Sequence, residues 1–554
     1  MAASIKRNIG RASALPAVIV GAVVLRLITG VGFANYDTLY ALSWGGQLAR
    51  GELPAYDVPI APTPHPLLEL LGLVLSPLGP RAVENVTVAL GFLALAGCGW
   101  VVYRLGELWF GRAAGALAAL ILLTRVPILS YGVRAYVDVP YLLLVLSAVL
   151  LESRRRAREQ PPAGASVLAL LALAGLLRPE AWVFSGLYWL YLLAWIPRPI
   201  RARLRARALP PAAGADAELP SSPQASGRPP ATGSPESSAQ GARLARALSE
   251  LRPGAQLGEP APARGGAWPR RSRKALAGLT LLAAAAPIAW LLSDLAVTGD
   301  ALWSLTNTRN TAELLHRVTG IANVPQYIPR RIGEILRPPV LLGAALGGAL
   351  SLWWLRRRAL PGAAAGVLAV LVLSVFAAAG LPINTRYAFL AASILCVFCG
   401  AGVFGWTRLE PGDPRRRWWM AGGALVLVAL LAYSPAQYNS AHRELDKLAL
   451  QQRIQNDLLA LVEDHAITLR CGPVGVPNHA PIPLLALYLK TSPANVPNAQ
   501  VSDTGTGEYL DPASKEVEEN YVLDPHDPHR PVNVPPGFTE VRANRSWFIF
   551  GHCS

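Results

Sequence analysis

In the stretch Asn35 to Pro66, which follows the first apolar run, Asp37 is the residue best suited to chemistry in this 554-residue chain. It lies just beyond that run, where a carboxylate sits at a membrane boundary beside a lipid headgroup. Asp138, in the short polar segment SYGVRAYVDVP, brings a second carboxylate to a similar boundary. Together the two could work on a proton or hold a divalent cation, although calcium or magnesium normally takes six or more oxygens. For either residue the structural alternative is capping of a helix. The arginines at outward helix ends, Arg134, Arg178, Arg330, Arg331 and Arg386, form a pool for an anion. A planar, permanently charged guanidinium suits phosphate oxygens, and arginines at such boundaries also snorkel to headgroups with no further duty. Glu180 is expected to pair with Arg178. Asp57 and His65 share the Asp37 stretch as lesser candidates, His65 as part of a cleft wall.

The elements that must position these residues follow from composition. The chain is 52% hydrophobic and 16% charged, with a mean hydropathy of +0.33. Segments of roughly 16 to 22 nearly uncharged residues recur, each long enough to cross a hydrocarbon core. The formal net charge of +16 excludes little by itself. Its arginines cluster between apolar segments rather than on a soluble domain, which fits the positive-inside bias and not nucleic acid. No P-loop, GxGxxG after a strand, HExxH or GxSxG elbow is present, so nucleotide-driven chemistry has no visible site.

Lys6, Arg7 and Arg11 precede the first apolar run, about residues 15–33, which is expected to be an uncleaved span with a cytoplasmic amino terminus. Residues 67–78 are short and proline-bounded and suggest an interfacial or re-entrant helix. Spans follow at about 83–103, 113–129 and 139–152, then two short ones between Ala163 and Ile196 that turn at Arg178-Pro179-Glu180. Further spans fall at about 275–297, 339–355, 362–381, 387–406 and 418–433. The sequence therefore predicts an all-α polytopic protein of about eleven transmembrane helices, with a small extracytoplasmic α/β domain at its end.

Four regions result. Residues 1–196 form an amino-terminal membrane module with an outer loop at 35–66. Residues 197–274, rich in Arg, Ala, Pro, Ser and Gly, bury too little apolar surface to offset chain entropy and are expected to be a disordered cytoplasmic linker. Residues 275–433 form a second membrane module with an outer loop at 298–338. In the tail, 434–554, helical spacing at 441–465 is followed by the strand-like ITLRCGPVGVP and NRSWFIFGHCS around the helical PIPLLALYL, the alternation of an α/β module. Cys471 and Cys553 lie in those strand-like pieces, and an outer-face position allows them to pair, or to remain two thiols. Cys98, Cys396 and Cys399 lie in apolar spans, where packing is expected.

The order of these pieces resembles the GT-C glycosyltransferases, those of bacteria that use polyprenyl-phosphate sugars, among them mannosyltransferases and aminoarabinose transferases, and the protein mannosyltransferases. The matching residues are Tyr36-Asp37 after a first span, LARGELPAYDVPIAPTPHPLLELL, Asp138-Val139-Pro140, GLLRPEAW, and NTRYAFLA before a late span. The chain departs from the commonest pattern in having Asp-Thr after Tyr36 instead of an acidic pair, and His65-Pro66 in place of a paired proline.

The resemblance implies a bacterial-type inner-membrane enzyme that transfers one sugar from a polyprenyl-phosphate donor to an extracytoplasmic lipid, glycan or protein. A phosphate is a good leaving group, so such an enzyme needs chiefly a base for the acceptor hydroxyl and cations for the departing phosphate. Asp37 is then the base and Asp138 its helper. Tyr36, Asp57, His65, Glu180, Tyr387 and the five arginines contact substrate, with Arg386 foremost beside Tyr387. Two other classes compete, a multi-pass transporter or flippase and a non-catalytic envelope-assembly partner.

Overall fold

The computed structural model describes residues 14–194, 273–502, 504–523, 527 and 530–553. The expected linker lies outside them except for Arg273 and Lys274. The helices, in order, are α1 (Ala14–Thr29), α2 (Tyr36–Ala49), α3 (Pro66–Leu75), α4 (Pro80–Phe110), α5 (Arg112–Leu123), α6 (Val126–Val133), α7 (Asp138–Ala157), α8 (Ala165–Gly175), α9 (Glu180–Ala194), α10 (Arg273–Thr298), α11 (Trp303–Leu314), α12 (Val324–Trp354), α13 (Arg356–Ala378), α14 (Phe389–Phe404), α15 (Pro414–Glu463) and α16 (Ile482–Tyr488).

This is a helical multi-pass membrane protein. Among the described residues six helices are long and apolar enough to cross a membrane, or seven if the bent pair α5 and α6 counts as one span. Several of the other expected spans correspond to the shorter apolar helices α1 and α8 and α9.

Prolines account for the places where helices depart from the simple pattern. The single span expected at about 113–129 breaks by 65° between α5 and α6, because Pro127 has no N–H to continue the ladder. Arg125 fills the gap, its Nε donating to Ile121 O at 3.1 Å and its Nη1 to Leu336 O at 3.1 Å. Leu336 in turn precedes a kink inside α12, where Pro338 and Pro339 follow Arg337, which stands at φ 65°. One buried guanidinium thus serves backbone carbonyls at two breaks, which helices in an apolar medium require.

Small residues let α12 and α14 touch. A Cβ at Gly347 would fall 1.9 Å from Phe398 O, so glycine alone permits this crossing. Cys399 packs against Gly343 in the same seam, and Cys98, Cys396 and Cys399 are buried free thiols.

Two expectations for the ends of the membrane body need correction. The stretch 35–66 is not loop throughout, since its first half is α2, and α15 runs unbroken from Pro414 to Glu463 through the expected gap between a span and a separate tail helix. Its C-terminal half carries the small module, a four-stranded sheet in the order β1-β2-β4-β3: β1 (Val474–Gly475) parallel to β2 (Gly507–Pro512), with β4 (Trp547–His552) antiparallel to both β2 and β3 (Thr539–Ala543).

One core joins module and membrane body. Leu39, Tyr40 and Trp44 of α2 are buried with Ile454 and Leu458 of α15 and Ile482, Leu485 and Trp547 of the module. Trp547 Nε1 donates to Ile454 O at 3.0 Å, and Tyr488 Oη to Glu84 Oε2 at 2.5 Å. Cys471 and Cys553 are joined, their Cα atoms 5.2 Å apart across a separation of 82 residues. Replacing both by serine is expected to cost the module about 2–4 kcal/mol. The measurement is thermal unfolding of the double variant beside wild type with and without reductant; equal midpoints would sink the expectation.

Candidate functional site

Asn35 places the acid. Its Oδ1 accepts the backbone N–H of Asp37 at 2.8 Å and of Thr38 at 3.3 Å, capping α2. Its Nδ2 donates to Thr38 Oγ1 at 2.9 Å and to Arg134 O at 3.0 Å, and Thr38 Oγ1 donates to Ala135 O at 2.8 Å. These bonds tie the start of α2 to the turn just before α7, so Asp37 and Asp138 belong to one rigid patch. Asp37 also stands in the first turn of α2, where the helix dipole favours a negative charge.

Arg386 lies in the short turn Thr385–Ala388 that leads into α14. Its Nη1 is 2.7 Å from Asp37 Oδ2 and 3.8 Å from Asp138 Oδ2. Behind it, Arg178 pairs with Asp138 through Nη1, and with Glu180 through Nη2 and through Nε at 3.2 Å. The Tyr387 ring lies 4.3 Å from the Arg178 guanidinium carbon and 5.5 Å from that of Arg386. The result is one line of alternating charge, Asp37, Arg386, Asp138, Arg178 and Glu180.

Exposure divides that line by role. Asp37 and Arg386 keep 16% and 20% of their side chains open, whereas Asp138 keeps 2%. A cavity of about 850 Å³ receives Asp37, Arg386, Arg178 and Glu180 but not Asp138. Asp138 thus sits behind the cavity wall, buried against two arginines. Asp57 is exposed and does not line the cavity. Arg330 points away and pairs with Glu334 at 3.2 Å.

The remaining expected residues reach the cavity wall: Tyr36, His65, Arg134, Arg331 and Tyr387. Arg134 is held by Ser130, through Nη2 to Oγ at 2.9 Å, with its guanidinium over Tyr136 at 4.9 Å. Arg331 bonds Glu334 at 2.9 Å. Three further wall residues escaped the sequence reading. Arg317, half-buried in the expected outer loop 298–338, adds a positive charge within reach of Asp37. Trp290 of α10 stacks edge-on to Trp182 at 5.6 Å. His479 of the carboxyl-terminal module sets its ring 5.5 Å from that of Tyr36, with Nδ1 3.6 Å from Asp527. Arg317 stands in a loop already singled out, while nothing local marks His479 as facing another domain.

Charge and burial set the protonation states. Burial pushes the Asp37 carboxyl up, but Arg386 against it, helped by Arg317, holds it below the usual carboxylate range. It is ionised at neutral pH. His65 is pushed down to about 4 by burial, with Asp37 opposing and Arg178 and Arg386 adding to the effect. It is a neutral imidazole, and its Nδ1 has no hydrogen-bond partner among the described residues. A histidine whose folded pKa lies below its unfolded value near 6.5 contributes stability in full above that value and loses it as pH falls towards the folded one. Between pH 7.5 and 4.5 the wild type is expected to lose roughly 2–3 kcal/mol more than His65→Gln. Parallel pH dependence of the two thermal midpoints would refute this.

Asp37 and Asp138 do not fit a divalent cation. Each faces a guanidinium where a metal would stand, and no group of three or more His, Cys, Asp and Glu among the described residues could hold one.

No protein-family profile matches the chain and no curated protein matches it. Among solved structures it is similar to the crystal structure of ArnT from Cupriavidus metallidurans bound to undecaprenyl phosphate, with 13% identity and a TM-score of 0.50 over 96% of this chain and 97% of that one. At this identity the likeness is one of fold, and it extends over both the membrane body and the tail module. The GT-C-like architecture expected from the motifs is met at that level.

Proposed function

We propose that this protein moves one sugar from a polyprenyl-phosphate donor to a hydroxyl of an extracytoplasmic acceptor, with Asp37 as general base. The observation that carries the reading is the cavity that brings Asp37 together with Arg386, Arg178, Arg134, Arg317 and Arg331. The shared fold supports it, since the ArnT structure holds undecaprenyl phosphate. Placing the cavity on the outer face follows the arginine bias between spans.

In this scheme the acceptor oxygen attacks the anomeric carbon. The bond from that carbon to the phosphate oxygen breaks, the electron pair leaves with the phosphate, and the acceptor proton passes to Asp37. Direct attack of this kind inverts the anomeric centre. The phosphate leaves as a stable anion, so the arginines replace an acid. Arg386 links the two halves of the reaction. A phosphate drawn into the cavity competes with Asp37 for that guanidinium, and a carboxylate that gives up part of its cation gains proton affinity when a base is needed. Tyr36 and Trp182 supply flat apolar faces for a sugar ring, with Trp290 packed behind Trp182, and His65, neutral, can accept or donate one hydrogen bond to a sugar hydroxyl.

The test uses membranes containing the wild-type protein and a panel of polyprenyl-phosphate mannose, arabinose and glucose, with an envelope extract as acceptor. One donor is expected to be consumed with release of polyprenyl phosphate. Consumption of none, with an extract known to contain acceptors, would favour transport or assembly.

A further inference from the structure

The opposite face of the membrane body carries a charge arrangement that sugar transfer leaves unused. Asp138 opens α7 and the run Arg154 to Arg158 closes it; a 20-residue helix separates the two by about 30 Å, the thickness of a hydrocarbon core. At that far end a second cavity, of about 310 Å³, is lined by Arg104 and Glu107 of α4, Arg154 and Arg158 of α7, and Arg408, with Leu108 and Ala157 between them.

Among the described residues, three separated parts of the chain thus line this cavity with four arginines and the Glu107 carboxylate. That carboxylate is already engaged, by Arg104 Nε at 3.1 Å and by Arg112 Nε at 3.3 Å. Arg408 is held in place by its Nη2 bond to Glu107 O at 2.8 Å, and the charge of Arg358 bears on it as well. The forked donors of guanidiniums match phosphate oxygens. Basic pockets between membrane helices are suited to lipid phosphates.

We propose that this cavity binds a phosphate group on the membrane face opposite the Asp37 cavity. Leu108 and Ala157 among the arginines, at the end of apolar helices, suit the headgroup of an anionic phospholipid with its chains beside α4 and α7; free phosphate presents the same chemistry. The site is independent of the proposed transfer reaction.

The experiment places the full chain in phosphatidylcholine nanodiscs, in discs with added phosphatidylglycerol, and in phosphatidylcholine discs with inorganic phosphate. Phosphatidylglycerol is expected to raise the thermal midpoint by several degrees and to stay bound through mass spectrometry of the intact protein. An equal rise with inorganic phosphate would assign the same site to a soluble ligand. Arg154→Gln with Arg158→Gln is expected to weaken lipid retention roughly thirtyfold, and the exposed Arg158→Gln alone about fivefold. Arg357→Gln, an exposed arginine beside Arg358 that does not line the cavity, is expected to change nothing. Three results would overturn the proposal: no rise with either ligand, full retention in the double variant, or equal loss with Arg357→Gln, which would reveal only a diffuse surface charge.

Discussion

Membranes carrying Asp37→Asn are expected to transfer sugar about 10²- to 10⁴-fold more slowly than wild type at matched protein level, the range that a positioned general base contributes. The substitution preserves size and the cap from Asn35, whose bonds reach the backbone of Asp37 and not its side chain. Arg386 keeps Asp138 at 3.8 Å as a partner, so its charge is not stranded. Fold and donor binding should survive while kcat collapses. Wild-type activity in this variant would remove Asp37 from the mechanism. A parallel fall in thermal midpoint would make it a structural anion instead, and the readouts separate the two because Asp37 keeps 16% of its side chain open to the cavity.

The second large effect lies one layer deeper. Arg178→Gln is expected to destabilise the protein by about 3–5 kcal/mol, because it leaves Glu180 buried without its cation and Asp138 with only the more distant Arg386 at 3.8 Å. The protein should fail to accumulate in the membrane, or melt far below wild type. Arg386→Gln is the contrasting case: its side chain is 20% open, and the variant should fold while losing transfer. If Arg178→Gln accumulates and melts normally yet is inactive, the guanidinium serves substrate rather than the anchor, and the division of the charge line into open and buried halves is wrong.

Much of this arrangement was legible in the chain because membrane boundaries are local. An apolar run ending before Tyr36-Asp37, the start of α7 at Asp138 and the turn before Phe389 each announce themselves in a few residues, and all three meet at the site. What sequence could not supply was depth. Asp37 and Asp138 look alike in sequence, and only packing of Arg178 beneath Asp138 makes one a surface acid and the other an anchor. Asp57 had the right neighbourhood and the wrong direction, since the turn after α2 faces it outward. Arg317 and His479 depend on tertiary approach, one from a loop with several arginines and the other from a separate module. The missed strands β2 and β3 are short, and β3 is exposed throughout, so neither carries a strong alternating pattern. The breaks at Pro127 and Arg337 were hidden because hydropathy averages over prolines that geometry does not forgive.

The 50 residues of α15, from Pro414 to Glu463, extend about 75 Å as one rod, rooted in the membrane at one end and locked to the tail module by Trp547 at the other. A rod of this kind transmits phase. Adding or deleting one residue between Tyr433 and Leu448 turns everything beyond it by about 100° and shifts it by about 1.5 Å, carrying His479 off Tyr36 and Tyr488 off Glu84. Changes in length are therefore expected to be tolerated in the module's loops and not in this helix, whose angular register decides whether the wall of the cavity closes.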